Sequence, residues 1–546
     1  MTAWTSPVPV PPRLHSITAA LASLLIAAAG GRAAAAEVLE LRLDGLSVPI
    51  RIDQLEEWSR RAGQPVPHRR GRQEVGVWLD LLDPESRTAL AGLLRTPLLR
   101  DRSFGRQLLD SWAGGPMLAE VGDLLTTPDG RSTSTLLQET LRRLLEERRE
   151  VNALQLLQAL PEPRLSLQLD RLLALADQWR HQLERQRLAL ELLRRLPLPP
   201  PPAAGTQASS AGQARPHRRR LAVPHRPDPL PVDLWLPDPR PAGPAPAGAA
   251  PPAARPWVLM MPGLGGDAGH LGWMAGALAA RGWPVAVLEH PGSDAEALRS
   301  ALEGRRPPPG AESLAVRVDD ARAVLAAQRQ GALPVHGEGV VLVGHSLGAV
   351  NALLTAGLAP EPGLGERCRS RVERLPLTNP SWLLQCQLPR SGLPAAAAAP
   401  AGLRGMVLLN GFGSLFWPRR ALEPLGVPVL MVGGSLDLVT PPLEEQLALF
   451  LPAGDPRSRL VLVEGGSHFS PVRMDDPGEA VLRLGEELVG VNPETVQALL
   501  LTLTTDFLET LGEPRRLAPQ KRTHRQAAAY VLDGPAARRW KAGLPR

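Results

Sequence analysis

The sequence predicts a mostly parallel α/β sheet with helices on both faces, preceded by a mainly helical N-terminal domain. Three observations carry this. First, six short apolar runs recur from residue 257 onward with helical stretches between them. They are WVLMMPG at Trp257, VAVLEHPG at Val285, VVLVGHS at Val340, GMVLLNG at Gly405, VPVLMVGG at Val427 and RLVLVEGG at Arg459. Strands alternating with helices build a parallel sheet, and unbroken Val/Leu runs suit strands buried on both faces. Second, the third run leads straight into Gly-His-Ser-Leu-Gly, a sharp strand-to-helix turn. Third, the chain before residue 197 reads as helix with little strand character.

Taken in order, the chain begins with Arg13, an apolar run from Ile17 to Ala29, and small residues at Ala34 and Ala36 before Glu37. That is the order of a secretory signal, so residues 1–36 are expected to be removed on export to the periplasm or beyond. The run is shorter than the roughly 20 residues a membrane span needs. With no other long uncharged apolar stretch, the mature chain is expected to be soluble or peripheral to a membrane. Residues 37–196 form the predicted helical domain. It opens on a hairpin around Asp44-Gly45 and on a helix carrying Leu55 and Trp58, with Asp53 and Glu56 in a capping-box pattern. Leu137, Leu141, Leu144 and Leu145 share one helical face, as do Ala176, Trp179 and Leu183. Residues 197–256 hold two Pro-rich tracts and the first strands of the next domain. The sheet domain spans 257–495, with a lid-like insertion at 357–402, and 496–546 is read as a C-terminal helical tail.

Composition narrows the function classes. The chain has 546 residues, 44% of them hydrophobic, and its 61 basic and 55 acidic residues leave a net charge of +6. No basic stripe with interleaved aromatics occurs, which argues against a nucleic-acid partner. Arg218, Arg219 and Arg220 read as a solvated loop after the first Pro-rich tract. No metal-ligand spacing is found, and no metal or organic cofactor is expected.

The chemistry concentrates at strand ends. Ser346 sits on the turn between a strand and a helix, where backbone crowding leaves room only for Gly344 and Gly348 on either side: a nucleophile elbow. A serine hydroxyl needs a base, and the base needs an orienting acid, expected in the chain order Ser, Asp, His. Asp437 follows the strand at Val427 and His468 follows the strand at Arg459, each after a glycine pair. His345 is adjacent to the serine and cannot easily fold back onto it. His270, His290 and Asp294 come too early in the chain. Acyl transfer also needs donors for a developing oxyanion. The backbone N–H of Leu347 is one candidate, and that of Leu264, in the glycine-rich loop MPGLGGDAGH, is the other. The same loop misses dinucleotide spacing by one residue, and no phosphate-binding Lys-Ser/Thr follows. Cys368 and Cys386 both lie in the insertion. In an oxidising compartment they could pair, or they could be two buried thiols. SWLLQCQL, in the same insertion, could line an apolar pocket or simply pack on the sheet.

From Ala36 to Gly490 the chain resembles a bacterial alpha/beta-hydrolase family described as predicted dienelactone hydrolases, which carry an N-terminal domain of unknown function (domain of unknown function 1400). The shared features are the opening hairpin, GDLLTTPDGRS at Gly122, PGLGG, EHPGSD at Glu289, GHSLG, LLQCQL, GGSLDLVTPP and GGSHFS. The second half is also similar to platelet-activating-factor acetylhydrolases. The resemblance implies the alpha/beta-hydrolase fold and a triad of Ser346, Asp437 and His468. Two positions depart from related enzymes: serine stands where true dienelactone hydrolases use cysteine, and Pro262-Gly263 replaces the frequent His-Gly. The expectation is an exported serine hydrolase acting on a small-molecule ester or lipid-like substrate through an acyl-enzyme. An acyltransferase with the same triad, and a non-catalytic binding module, are the alternatives. Oligomeric state is not legible.

Overall fold

The computed structural model describes residues 35–61, 83–99, 102–148, 150–201, 215–238, 255–372, 375–388, 392, 398–473, 490–512 and 516–545. The expected export signal, all but its last two residues, lies outside them. The chain divides into two compact units: residues up to Arg102 with Leu118–Leu172, and Ser103–Met117 with everything from Leu173 onward.

The first unit begins with the predicted hairpin. Strand β1 (Val38–Leu43) pairs antiparallel with β2 (Leu46–Arg51), and Asp44 and Gly45 both take positive φ, as a tight two-residue turn requires. Helix Ile52–Arg61 follows directly and buries Leu55. Asp53 binds Arg51 at its start instead of forming a capping box. After a short β3 (Pro97–Leu99) come β4 (Leu125–Thr126), β5 (Val151–Asn152) and β6 (Arg164–Gln168). They build a four-stranded sheet in the order β2-β1-β6-β4 and a separate β3-β5 pair. The unit is therefore helical with a small sheet. Helix Ser134–Glu147 buries Leu137, Leu141, Leu144 and Leu145 as the heptad-like spacing predicts.

The division falls inside one long helix, Leu169–Arg194, and not at the Pro-rich tract. The reason is packing: Ala189 and Leu193 belong to the same apolar cluster as Leu230, Trp257 and Trp540. Trp540 Nε1 also donates to the Ala189 carbonyl at 2.8 Å. The buried stripe of this helix is Gln182, Gln186, Ala189 and Leu193, so the predicted face of Ala176, Trp179 and Leu183 is not the one that packs.

The second unit carries a ten-stranded sheet. Its first strands, β7 (His217–Leu221) and β8 (Leu230–Trp235), form an antiparallel hairpin. Arg218, Arg219 and Arg220 thus lie on an edge strand, not in a loop. Six parallel strands follow: β9 (Trp257–Met261), β10 (Val285–Leu288), β11 (Val340–His345), β12 (Leu403–Leu409), β13 (Val429–Gly434) and β14 (Arg459–Val463). These are the six runs read from the sequence. Alternate residues feed two apolar clusters, Leu259 and Leu342 on one face, Val258, Val341 and Val343 on the other. The C-terminal segment differs from the expected helical tail. Helix Pro493–Glu509 is followed by β15 (Gln520–His524) and β16 (Ala527–Leu532), and β16 pairs antiparallel with β14. The spatial order is β15-β16-β14-β13-β12-β11-β9-β10-β8-β7. Strand order reverses beside β9, so the connections leaving β9 and β11 at their carboxyl ends run in opposite directions and diverge there, where open α/β sheets bind ligands.

Candidate active site

Ser346 stands at that divergence. Its backbone takes φ 53° and ψ −120°, a conformation rare for a residue with a side chain. The strain is held by surroundings that admit nothing larger. A Cβ on Gly344 would overlap the Gly348 carbonyl, and one on Gly348 would overlap the Met261 carbonyl at the end of β9. The Ser346 N–H donates to Leu409 O at 2.9 Å, fixing the turn to β12.

Asp437 and His468 reach the same spot on two loops lying back to back. Each loop opens with a glycine pair: a Cβ on Gly434 would strike the Gly466 carbonyl, one on Gly433 the Gln446 side chain, and one on Gly465, at φ 75°, the Val491 side chain. Leu436 N–H binds Gly466 O and Ser435 N–H binds Val463 O, both at 2.9 Å. The result is a continuous chain: Ser346 Oγ lies 3.0 Å from His468 Nε2, and His468 Nδ1 lies 2.9 Å from Asp437 Oδ2. Asp437 is fully buried. It accepts from the N–H groups of Val439 and Thr440 on Oδ1, and from the Thr440 hydroxyl on Oδ2. With three donors besides the imidazole, it remains an acceptor and fixes the ring so that Nδ1 donates and Nε2 accepts.

Two residues that the sequence reading left aside hold His468 from behind. His345 Nε2 donates to the His468 carbonyl at 2.9 Å, and Asn410 Nδ2 donates to the same oxygen at 3.1 Å. Burial, reinforced by the neighbouring His468, pushes the His345 imidazole down to about 3, so it works as a neutral donor. Asn410 takes a positive φ of 47°, which Asn tolerates better than most residues. The only sequence hint was its place at a strand end, before a glycine.

Leu347 is the first residue of the elbow helix Leu347–Thr355, so its N–H has no partner within the helix. The loop carrying Leu264 runs against the elbow: a Cβ on Gly263 would come within 3.2 Å of the Ser346 Cβ. Arg317, fully buried, supports this loop through the Pro262 and Gly263 carbonyls.

The early His and Asp residues serve elsewhere. Asp294 caps helix Ala295–Leu302. His290 is buried and joined to Asp320 at 2.8 Å, and burial pushes it down to about 4. Burial disfavours the Asp320 charge, but hydrogen bonds from Arg226, His290 and His225 outweigh it and hold the carboxyl at about 2. His270 lies in the first turn of helix Gly269–Ala280, after the glycine-rich loop, its N–H bound to Asp267.

In the insertion, Cys368 and Cys386 are bonded, with Cα atoms 5.5 Å apart. SWLLQCQL packs on the sheet, with Trp382, Leu384 and Cys386 against the core. It is pinned by Glu445, a fully buried carboxylate that accepts from Asn379, Gln385 and Ser414 side chains and from the Gly413 and Ser414 N–H groups. A cavity of about 330 Å³ lined by Trp257, Gly339 and Gly402 lies at the opposite end of the strands from Ser346.

Comparison with known proteins agrees with this architecture. Residues 35–168 match a family described as "Alpha/beta hydrolase of unknown function (DUF1400)", and residues 258–484 match the alpha/beta hydrolase family. The second match is to that family as a whole and does not single out dienelactone hydrolases or platelet-activating-factor acetylhydrolases. No curated protein matches. Among solved structures, a Mycobacterium tuberculosis puromycin-hydrolysing peptidase is 16% identical, over 58% of this chain and 42% of that one, with a TM-score of 0.34. The alignment thus spans less than half of the peptidase, and a likeness of that size says nothing about substrate. Fold and family match together make residues 258–484 an alpha/beta hydrolase domain.

Proposed function

We propose that this protein is a serine carboxylic ester hydrolase. The observation that carries the reading is the unbroken hydrogen-bond chain from Ser346 Oγ through His468 to Asp437, at a strained elbow on the carboxyl edge of the sheet. Ser346 attacks the ester carbonyl as His468 Nε2 takes its proton, and Asp437 stabilises the imidazolium that forms. The N–H groups of Leu264 and Leu347 receive the oxyanion of the tetrahedral intermediate. His468 then returns the proton to the leaving alkoxide, giving alcohol and acyl-enzyme. Water, deprotonated by the same imidazole, attacks the acyl group in turn and releases the acid. No step calls for a cofactor.

Labelling by a fluorophosphonate probe, together with turnover of a p-nitrophenyl ester, tests this. Wild type should do both. Ser346→Ala should do neither, with kcat down by about 10⁶-fold as in other serine enzymes that lose the nucleophile. A folded Ser346→Ala variant that keeps substantial turnover refutes it. Export belongs to the same proposal and rests on the Arg13, Ile17–Ala29 and Ala34-x-Ala36 pattern. Intact mass of protein from the native host should begin near Glu37; cytosolic protein still starting at Met1 overturns it.

A further inference from the structure

One end of the Gly263–Leu264 peptide is already held. Its carbonyl oxygen accepts from Arg317 Nη2 at 2.8 Å, and the preceding Pro262 carbonyl accepts from Nη1 at 2.9 Å. Nε donates to Ser293 Oγ at 2.8 Å, and Nη2 also reaches the Ser293 carbonyl at 3.3 Å. Ser293 in turn holds the loop from its other side, its carbonyl accepting from the Gly265 N–H at 2.8 Å. None of these acceptors is a carboxylate, although a buried cation is normally paired with one. Arg317 belongs to helix Leu314–Arg329, and its own carbonyl accepts from Asn351 on the elbow helix at 3.2 Å. One residue therefore ties the glycine-rich loop to the helix behind Ser346.

In a trans peptide the C=O and N–H point in opposite directions, and no cis peptide occurs among the described residues. Fixing the Gly263 oxygen toward Arg317 therefore fixes the Leu264 N–H away from it. A cationic donor on the oxygen also polarises the amide and strengthens the N–H as a donor. We propose that Arg317 is a positioning residue for the oxyanion site, holding and polarising the peptide whose N–H, on Leu264, meets the developing charge. The inference rests on the serine-hydrolase reading above. Burial pushes the guanidinium down to about 9, with Asp320 and Asp294 opposing the shift, so it stays a cation at neutral pH.

The test compares wild type, Arg317→Met and Arg317→Lys of the full chain on p-nitrophenyl acetate, with active sites counted by fluorophosphonate labelling. It adds the Ki of a trifluoromethyl ketone, whose serine adduct places an oxyanion at the same donors. For Arg317→Met, kcat per active site should fall by about 10²-fold, the lower end of the cost of losing one oxyanion donor. KM should stay within about threefold, since the interaction is one made in the transition state. The ketone should bind more weakly by a factor comparable to the loss in kcat. Arg317→Lys should recover part of each loss, because a cation remains but the planar fork does not. A purely structural arginine would lower the melting temperature and leave kcat per active site and Ki unchanged; that result overturns the inference. Should Arg317→Met fail to fold, Ser293→Ala decides. It removes the Nε acceptor together with the hydroxyl's own 3.3 Å donation to the His290 carbonyl, and kcat about fivefold below wild type supports the inference, small displacements being costly in catalysis, whereas wild-type kcat overturns it. Wild type inert to both ester and fluorophosphonate overturns the serine reading itself, and the inference with it.

Discussion

Asp437→Asn exchanges one carboxylate oxygen for an NH2 group and leaves the volume unchanged. Two orientations of the amide are open. With the NH2 at the Oδ1 position it faces the N–H groups of Val439 and Thr440, at 3.0 and 2.7 Å, donor against donor. With the NH2 at the Oδ2 position it faces His468 Nδ1 at 2.9 Å and Thr440 Oγ at 2.7 Å, both able to accept. The first orientation leaves two buried donors unpaired at about 1–3 kcal/mol each, so it is populated at a few per cent at most. The second keeps its hydrogen bonds but makes Nδ1 an acceptor. The ring proton then sits on Nε2, which can no longer take the proton of Ser346. The variant should therefore fold normally and lose about 10⁴-fold in kcat, the cost of the wrong tautomer in a serine triad, or roughly 5.5 kcal/mol of barrier. Steady-state hydrolysis of a p-nitrophenyl ester measures it, with a thermal melt to show that the fold is intact. A well-folded variant within about tenfold of wild-type kcat contradicts the tautomer argument.

Glu445→Ala removes the acceptor shared by Asn379, Gln385, Ser414 and the Gly413 N–H. It should cost at least about 3 kcal/mol in a urea titration, each orphaned buried donor contributing about 1–3. Cys368→Ser with Cys386→Ser opens a loop of sequence separation 18 and should lower stability by about 3 kcal/mol in the chain-entropy account. Two free thiols in unreduced, denatured wild type would refute the pairing. His345 and His290 are both buried with folded values of about 3 and 4 against an ordinary 6.5. Between pH 6.5 and 4 the unfolded chain binds protons that the folded chain refuses, so stability falls with falling pH, by up to about 1.4 kcal/mol per pH unit for each group. The urea midpoint across that range measures the slope, and His290→Gln should make it shallower.

The six parallel strands were legible because each is an apolar run between turn residues, and the positions of Ser346, Asp437 and His468 because strand ends are marked by those runs. Arg317, Asn410 and Glu445 were not, since each acts through contacts with segments remote in sequence, and no local pattern separates them from surface polar residues. The C-terminal strands were misread for a different reason. QKRTH has no apolar alternation, and AAAYVL suits a helix as well as a strand. Only the open edge of β14 makes them strands. The stripe on the long helix Leu169–Arg194 was misassigned because its packing face carries Gln182 and Gln186, residues that hydrophobic periodicity counts as solvent-facing.

The pairing of β16 with β14 bears on how the protein is made. The match to the alpha/beta hydrolase family ends at residue 484, but the strand that covers the edge of β14 runs from Ala527 to Leu532. A fragment cut at the end of the family match would expose the hydrogen-bonding edge beside the strand that leads to His468, an invitation to cross-pairing between molecules. During synthesis the same edge stays bare until Leu532 has left the ribosome. The sheet that carries Ser346 is therefore completed only once Ala527–Leu532 has been made, and a recombinant form of the alpha/beta-hydrolase domain has to include that strand.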